Sequence, residues 1–212
     1  MTDREKIQIR IVAGTLRGRK LTAIVHDGMR PTPQMVREAL FSILGNAVPG
    51  RAFFDIFAGT GVVGLESVSR GATSARLIEK DPRLVVDIQK YVSEFGVADK
   101  VHVLRADSYR WAERWIPAGK DPVNLFLSPP FPDLTEKATE FLDLVKVLLE
   151  KAPDESVLTI QAEDGFPVES LPDLPAWDVR KYGRNLLLFY VVNRSPVTEE
   201  EKRSTDFTVD TD

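Results

Sequence analysis

Asp55-Ile56-Phe57-Ala58-Gly59-Thr60-Gly61-Val62-Val63-Gly64 decides the fold. An apolar run, Phe53–Phe57, leads into it, and a helical stretch near 62–70 leaves it, so a glycine loop joins a strand to a helix. Gly59, Gly61 and Gly64 satisfy G-x-G-x-x-G, a weak pattern that gains force from that strand–loop–helix setting. Glycine lets backbone approach a ligand closely, and ligands of open α/β sheets sit at the carboxyl ends of strands. A purely structural turn is the alternative; a nucleotide-type ligand is the preferred reading.

Downstream, strands at Phe53–Phe57, Ala75–Glu79, Val101–Arg105, Leu125–Leu127 and Ser156–Gln161 alternate with helical stretches near 62–70, 83–95, 108–115 and 135–150. Near-continuous apolar strands between amphipathic helices imply an α/β fold with a mostly parallel sheet covered on both faces. Trp177–Arg180 and Leu186–Val192 predict a final hairpin that adds antiparallel strands at one edge. Upstream, Ile7, Ile9 and Ile11 alternate with polar residues, and Gly14 and Gly18 punctuate a turn, so 7–25 reads as a β-hairpin. A helix follows, with Thr32 as its expected N-cap and Pro33 at its first position, ending at Gly45 and Pro49-Gly50. The expected organisation is a basic hairpin-and-helix extension over 1–51, a Rossmann-like domain over 52–194 and a disordered acidic tail over 195–212.

Composition narrows the chemistry. The 212 residues include no cysteine, which excludes disulfides, thiolate metal sites and a cysteine nucleophile. Two histidines, His26 and His102, are too few for a histidine metal cluster, and no metal is expected. His102 reads as a packed strand residue and His26 as a solvated loop residue. Met1–Lys6 lacks the apolar core of a signal peptide and Leu186–Val192 is too short to cross a bilayer, so a cytoplasmic protein is expected. The net charge of −4 is unevenly spread. Nine basic and four acidic residues over 1–51 give +5, while six acidic and two basic residues from Ser195 onward give −4. A basic front on an acidic protein suggests a polyanionic partner, with a merely solvated charged face as the alternative.

Three acids close successive strands: Asp55, Glu79 (18 residues after Gly61) and Asp107, with Ser108 beside it. A carboxylate at Glu79 suits a ribose diol. Asp107 suits an adenine amino group, or simply caps the following helix. Three carboxylates would repel the pyrophosphate of a nicotinamide dinucleotide and suit a cationic sulfonium, which points to S-adenosylmethionine. At the end of the fourth strand stands Ser128-Pro129-Pro130-Phe131. Two prolines cannot continue a strand, and they form a corner whose carbonyls face outward, with an aromatic ring able to stack on a flat substrate. Such a corner can clamp the exocyclic amino group of a nucleobase.

Residues 7–192 resemble the bacterial RsmD-type small-subunit ribosomal RNA guanine-N2 methyltransferases. The resemblance rests on Ile9-Arg10-Ile11-Val12-Ala13-Gly14-Thr15-Leu16-Arg17-Gly18-Arg19-Lys20-Leu21, Arg30-Pro31-Thr32 and Val36-Arg37-Glu38-Ala39-Leu40-Phe41. It continues through Phe57-Ala58-Gly59-Thr60-Gly61, Gly64-Leu65-Glu66, Ser69-Arg70-Gly71-Ala72 and Leu77-Ile78-Glu79-Lys80-Asp81. It implies a Rossmann-like class I methyltransferase using S-adenosylmethionine, acting as a monomer on small-subunit ribosomal RNA or an assembling subunit. Asp55, Phe57, Gly59 and Gly61 would lie at the cofactor, with Glu79 on its ribose and Asp107 and Ser108 at its adenine. Arg10, Arg17, Arg19, Lys20 and Arg30 would meet RNA, and the Arg30–Glu38 segment would either fold over the cofactor or simply pack.

Ser128 departs from the family's Asp-Pro-Pro-Phe/Tyr. A carboxylate and a proline carbonyl would accept the two hydrogens of the guanine amine, whose lone pair is otherwise delocalised. Replacing a charge-assisted hydrogen bond by a neutral one costs roughly 1.5–3 kcal/mol, or about 10- to 150-fold in rate. Two rivals stand beside the enzyme reading: a degenerate RNA-binding or assembly module, and a nicotinamide-dependent oxidoreductase. Trp111 and Trp115 read as packing rather than as a base-stacking platform.

Overall fold

The computed structural model describes residues 5–25 and 30–194. His26 and the expected tail, 195–212, lie outside them. Alternation of Ile7 and Ile9 with polar neighbours produces β1 (Glu5–Arg10), paired antiparallel with β2 (Lys20–Val25). Ile9 and Leu21, directly opposite in the register, point inward, while Arg10 and Lys20 are opposite each other on the solvent face. Helix α1 (Gln34–Leu44) follows and ends at Gly45, whose φ of 45° a side chain would resist.

The central sheet has seven strands. In chain order they are β3 (Ala52–Ile56), β4 (Ser74–Glu79), β5 (Val101–Arg105), β6 (Val123–Leu127), β7 (Val157–Glu163), β8 (Trp177–Tyr182) and β9 (Asn185–Val191). Across the sheet they run β5-β4-β3-β6-β7-β9-β8. The first five are parallel, and β9 inserts antiparallel between β7 and β8. Helices α2 (Val62–Ser69), α3 (Pro82–Glu94), α4 (Ser108–Arg114), α5 (Asp133–Glu136) and α6 (Ala138–Lys151) cover the faces. The sequence predicts one helix over 135–150; it is broken at Lys137, which leaves the helical region at φ −124°, ψ 36° and reaches back to the Asp133 carboxylate. Strand order reverses between β3 and β6, so their carboxyl ends flank the crevice at the topological switch point.

Two expectations are corrected. Thr32 does not cap α1: Pro33 occupies the cap position, and the Thr32 hydroxyl is instead spent on Gln161. His102 is not packed, because β5 is the outermost strand and the ring is exposed on it. Trp111 and Trp115 are packing residues, stacked at 5.8 Å with Phe54 against both.

The hairpin and α1 share one apolar core with α2, α3 and β3, running from Ile9 through Leu40 and Phe53 to Phe189. Its polar anchor is Arg37, only 1% exposed. The guanidinium donates to the Glu66 carboxylate (3.2 Å), the Thr32 carbonyl (2.7 Å) and the Arg10 carbonyl (2.9 Å). The other oxygen of Glu66 takes two bonds from Arg70, whose guanidinium lies over Phe41. The hairpin turn is seated on the end of α2. Thr15 N–H donates to the Ser69 carbonyl and Leu16 N–H to the Ser69 hydroxyl, and a Cβ on Gly14 would lie 1.7 Å from the Ser69 carbonyl oxygen. Tyr91 of α3 closes the far side, its hydroxyl taking the Thr22 N–H and donating to the Thr22 carbonyl.

Breaking a buried charge pair strands the partner in a medium that cannot solvate it. Arg37→Leu is therefore expected to cost about 3–5 kcal/mol of unfolding free energy, read from urea denaturation. A loss below about 1 kcal/mol, the value of an exposed pair, would show that Arg37 does not anchor the fold.

Candidate active site

Strand β3 delivers Asp55 to the floor of the crevice, 1% exposed, where one carboxylate oxygen accepts the Gly64 N–H at 3.0 Å. Burial pushes this carboxyl up to about 8; the Gly64 N–H opposes the shift and the nearby Glu79 charge adds to it. Phe57 then turns the chain out of the strand at φ 150°, a backbone conformation that side chains resist. Its ring meets Tyr109 edge-on at 5.6 Å. Gly59 and Gly61 take φ of 54° and 72°, and Gly61 sets the start of α2. A Cβ on Gly61 would lie 2.9 Å from Ile88, so close helix packing requires that glycine.

Glu79, at the end of β4, accepts the Gly59 N–H (2.8 Å) with one oxygen and the Asp81 N–H (2.9 Å) with the other. It thereby clips the glycine loop to the neighbouring strand. Asp107, past β5, caps α4 through a bond from the Arg110 N–H, as the capping alternative anticipates, and also lines the crevice. Ser128, Pro129, Pro130 and Phe131 follow β6 and form the opposite wall. The Pro130 carbonyl already accepts the Asp133 N–H. Asp55, Phe57, Gly59, Glu79, Asp107, Ser108 and the Ser128–Phe131 corner border one cavity of about 450 Å³, together with Arg30, Pro31 and Thr32 from the segment before α1. Gly61 shapes the loop but does not line the cavity.

Asp55, Glu79 and Asp107 thus line one cavity with Phe57, Leu84, Tyr109 and Phe131, and with Asp81 and Asp133 the acids outnumber the cations Arg30, Lys80 and Arg83. Convergent carboxylates disfavour a pyrophosphate and suit a ligand with a cationic group and a ribose, so the residues present fit S-adenosylmethionine. Arg10, Arg17, Arg19 and Lys20 lie away from this cavity, exposed on the hairpin, with Arg19 resting over Phe95. Lys6 shares the outer face of β1 with Arg10. Arg30 belongs to the cavity rim rather than the hairpin and pairs with Glu163 at 3.6 Å.

Three participants escape sequence reading. Gln161 is 2% exposed, and its Oε1 accepts both the Thr32 hydroxyl (2.8 Å) and the Ser128 hydroxyl (3.2 Å). Asp133 accepts the Tyr109 hydroxyl at 3.0 Å and an ion pair from Lys137, fastening the Pro-Pro-Phe corner to α4. Burial, and then that bond, raise the Tyr109 phenol far above its ordinary range, so it stays a donor. The one available signal for Gln161 is a polar residue inside the apolar run of β7.

The family model described as Conserved hypothetical protein 95 matches residues 9–191. The ribosomal RNA small subunit methyltransferase D of Escherichia coli (strain K12) is 34% identical over 178 residues, 82% of this chain and 83% of that one. The chain belongs to the RsmD-type ribosomal RNA methyltransferase family. The corresponding Buchnera aphidicola protein is 30% identical over 128 residues, 60% of this chain and 65% of that relative. Among solved structures, the putative methyltransferase yhhF from E. coli superposes with a TM-score of 0.68 at 29% identity, covering 88% of this chain and 99% of that one. The Thermus thermophilus 16S rRNA N2 G1207 methyltransferase RsmC, in complex with AdoMet and guanosine, gives a TM-score of 0.67 at 21% identity over 90% of this chain and 50% of that one. The fold is that of class I methyltransferases, and S-adenosylmethionine is the family's cofactor. No helix among the described residues is long and apolar enough to cross a membrane.

The raised Asp55 carboxyl has a testable sign. Between its ordinary value near 4 and about 8, the native protein without cofactor holds one proton that the unfolded chain releases, so this group makes stability fall as pH rises through that window. Asp55→Asn keeps an acceptor for Gly64 but cannot ionise. Its urea midpoint is expected to gain on the wild type steadily from pH 5 to pH 8. Parallel curves would remove Asp55 as the source.

Proposed function

We propose that this chain transfers a methyl group from S-adenosylmethionine to the exocyclic N2 amine of a guanine in small-subunit ribosomal RNA. The observation that carries the reading is that the Ser128–Phe131 corner opens onto the same cavity as Asp55, Glu79 and Asp107. The relatives' names support ribosomal RNA as the substrate.

When bound, the cofactor supplies an electrophilic methyl group on a positively charged sulfur. Asp55 and Gly59 would hold its amino-acid end, with Gly61 shaping the loop behind and Phe57 beside it. Glu79 would hold its ribose, and Asp107 and Ser108 its adenine. The hydroxyl of Ser128 and the carbonyl of Pro129 accept the two hydrogens of the amine, aiming its nitrogen at the methyl carbon; orientation of this kind supplies much of the rate. Phe131 stacks on a base drawn out of its helix, since a stacked base cannot present its amine. Transfer would break the methyl–sulfur bond, leave its electron pair on a neutral thioether, form the C–N bond and free one proton from the nitrogen. An uncharged serine is too weak a base to keep it, so the proton passes on to solvent. Arg10, Arg17, Arg19 and Lys20 meet phosphates and give affinity without sequence readout, with Arg30 closer to the target base.

The decisive measurement is transfer of labelled methyl to small ribosomal subunits that lack the modification. Wild type is expected to label them, with the label recovered as N2-methylguanine. Ser128→Asp, which restores a charged acceptor, is expected to be about 10- to 150-fold faster. Activity in the Asp variant alone would establish a chain that has lost turnover; labelling by neither would overturn the reading. For the hairpin, Arg10→Ala with Lys20→Ala is expected to weaken RNA binding across sequences and lower the salt slope by about 2. An unchanged slope would place the RNA elsewhere.

A further inference from the structure

The neutral pair at the target-base corner points to a residue with a role of its own. Ser128 can orient its single hydroxyl hydrogen toward the substrate or away from it, and only the second choice leaves both lone pairs for an incoming amine. Gln161 faces that hydroxyl from β7 at 3.2 Å. Its Oε1 is an acceptor with no hydrogen to give, so the Ser128 hydrogen is drawn away from the cavity. The amide is itself oriented from both ends: Oε1 also takes the Thr32 hydroxyl, and Nε2 donates to Asn185 Oδ1 at 3.1 Å. At 2% exposure there is little water to substitute for any of these partners.

We infer that Gln161 is a positioning residue for methyl transfer, holding the Ser128 hydroxyl as a pure acceptor toward the substrate amine. It does so while gripping Thr32, so the segment that rims the cavity and the corner that receives the base stay in one register. Asp133 and Tyr109 brace the corner from its other side, through the Pro130 carbonyl and α4. Asp133 touches the backbone turn, whereas Gln161 bonds the serine hydroxyl itself. This inference rests on the methyltransferase reading above.

The test follows single-turnover and steady-state transfer to unmodified small subunits for wild type, Gln161→Met, Gln161→Glu and Ser128→Ala. S-adenosylhomocysteine affinity is measured alongside as a report on folding and the cofactor side. Gln161→Met removes the acceptor, and kcat is expected to fall roughly 10- to 100-fold, with KM and S-adenosylhomocysteine affinity within about threefold of wild type. Gln161→Glu, kept protonated by burial, still accepts from both hydroxyls through its carbonyl and donates its O–H to Asn185, and is expected to stay within about fivefold. In a Ser128→Ala background, Gln161→Met is expected to add at most about threefold, from freeing Thr32, because the hydroxyl it orients is gone. Should Gln161→Met fail to bind S-adenosylhomocysteine, Gln161→Asn keeps the amide but withdraws it by one methylene and is expected to show the same loss of kcat. A wild-type enzyme that transfers methyl while Gln161→Met or Gln161→Asn keeps its kcat would overturn the role of Gln161 alone. Equal further loss in the Ser128→Ala background would do the same. No transfer by wild type would overturn the role together with the activity.

Discussion

A guanidinium sealed from water is the constraint on which the rest of the molecule depends. Arg37 cannot be solvated where it stands, so its neighbours must satisfy it, and they come from three places: Glu66 on α2, the Thr32 carbonyl before α1 and the Arg10 carbonyl at the end of β1. Each donor is committed to a different part of the chain, so the hairpin and the rim segment cannot shift against the sheet without exposing an unpaired charge. Glu66 can serve two arginines because both of its oxygens are occupied separately, which also fixes α2, the helix that starts from the glycine loop. The placement of the cavity rim is therefore a consequence of charge burial directly behind it, at the Thr32 carbonyl.

Local periodicity is why so much was legible beforehand. Alternation in β1, the apolar strands, the glycine loop and the strand-end acids are all readable within a few residues of one another. The double proline marks the end of β6 for the same reason. What escaped is long-range or depends on a single bond. The Thr32–Gln161 hydrogen bond spans 129 positions, and nothing near Thr32 distinguishes it from the helix cap it resembles. Arg37 counts as surface charge in any tally of a basic segment, and only the fold reveals it as buried. His102 sits in an apolar strand pattern, but the pattern does not say that its strand is the outermost one. Asp133 falls between the corner and the helical stretch near 135–150, where the sequence gives it no role, and its grip on Tyr109 requires α4 to be in place.

The cavity carries both signs of charge, with Asp55, Glu79, Asp81, Asp107 and Asp133 against Arg30, Lys80 and Arg83. Where the Ser128 corner meets β7 the paired side chains are neutral, an alcohol and an amide. Asp55 pays for its burial with a raised proton affinity, which a cationic ligand would relieve by replacing the proton. Ser128 avoids that cost altogether: a hydroxyl is easily desolvated, but it accepts hydrogen bonds weakly unless its hydrogen is directed elsewhere.

The seat of the hairpin has a further consequence. Gly14 lies so close to the Ser69 carbonyl that no side chain fits, and Ser69, Tyr91 and Arg37 hold the hairpin at three separate points. The exposed face of Arg10 and Lys20 is thus tied to the body of the protein that carries the Ser128 corner. On the function proposed above, a clamped basic face would act as a ruler: only an RNA whose phosphates and target base are spaced to match could touch both ends at once.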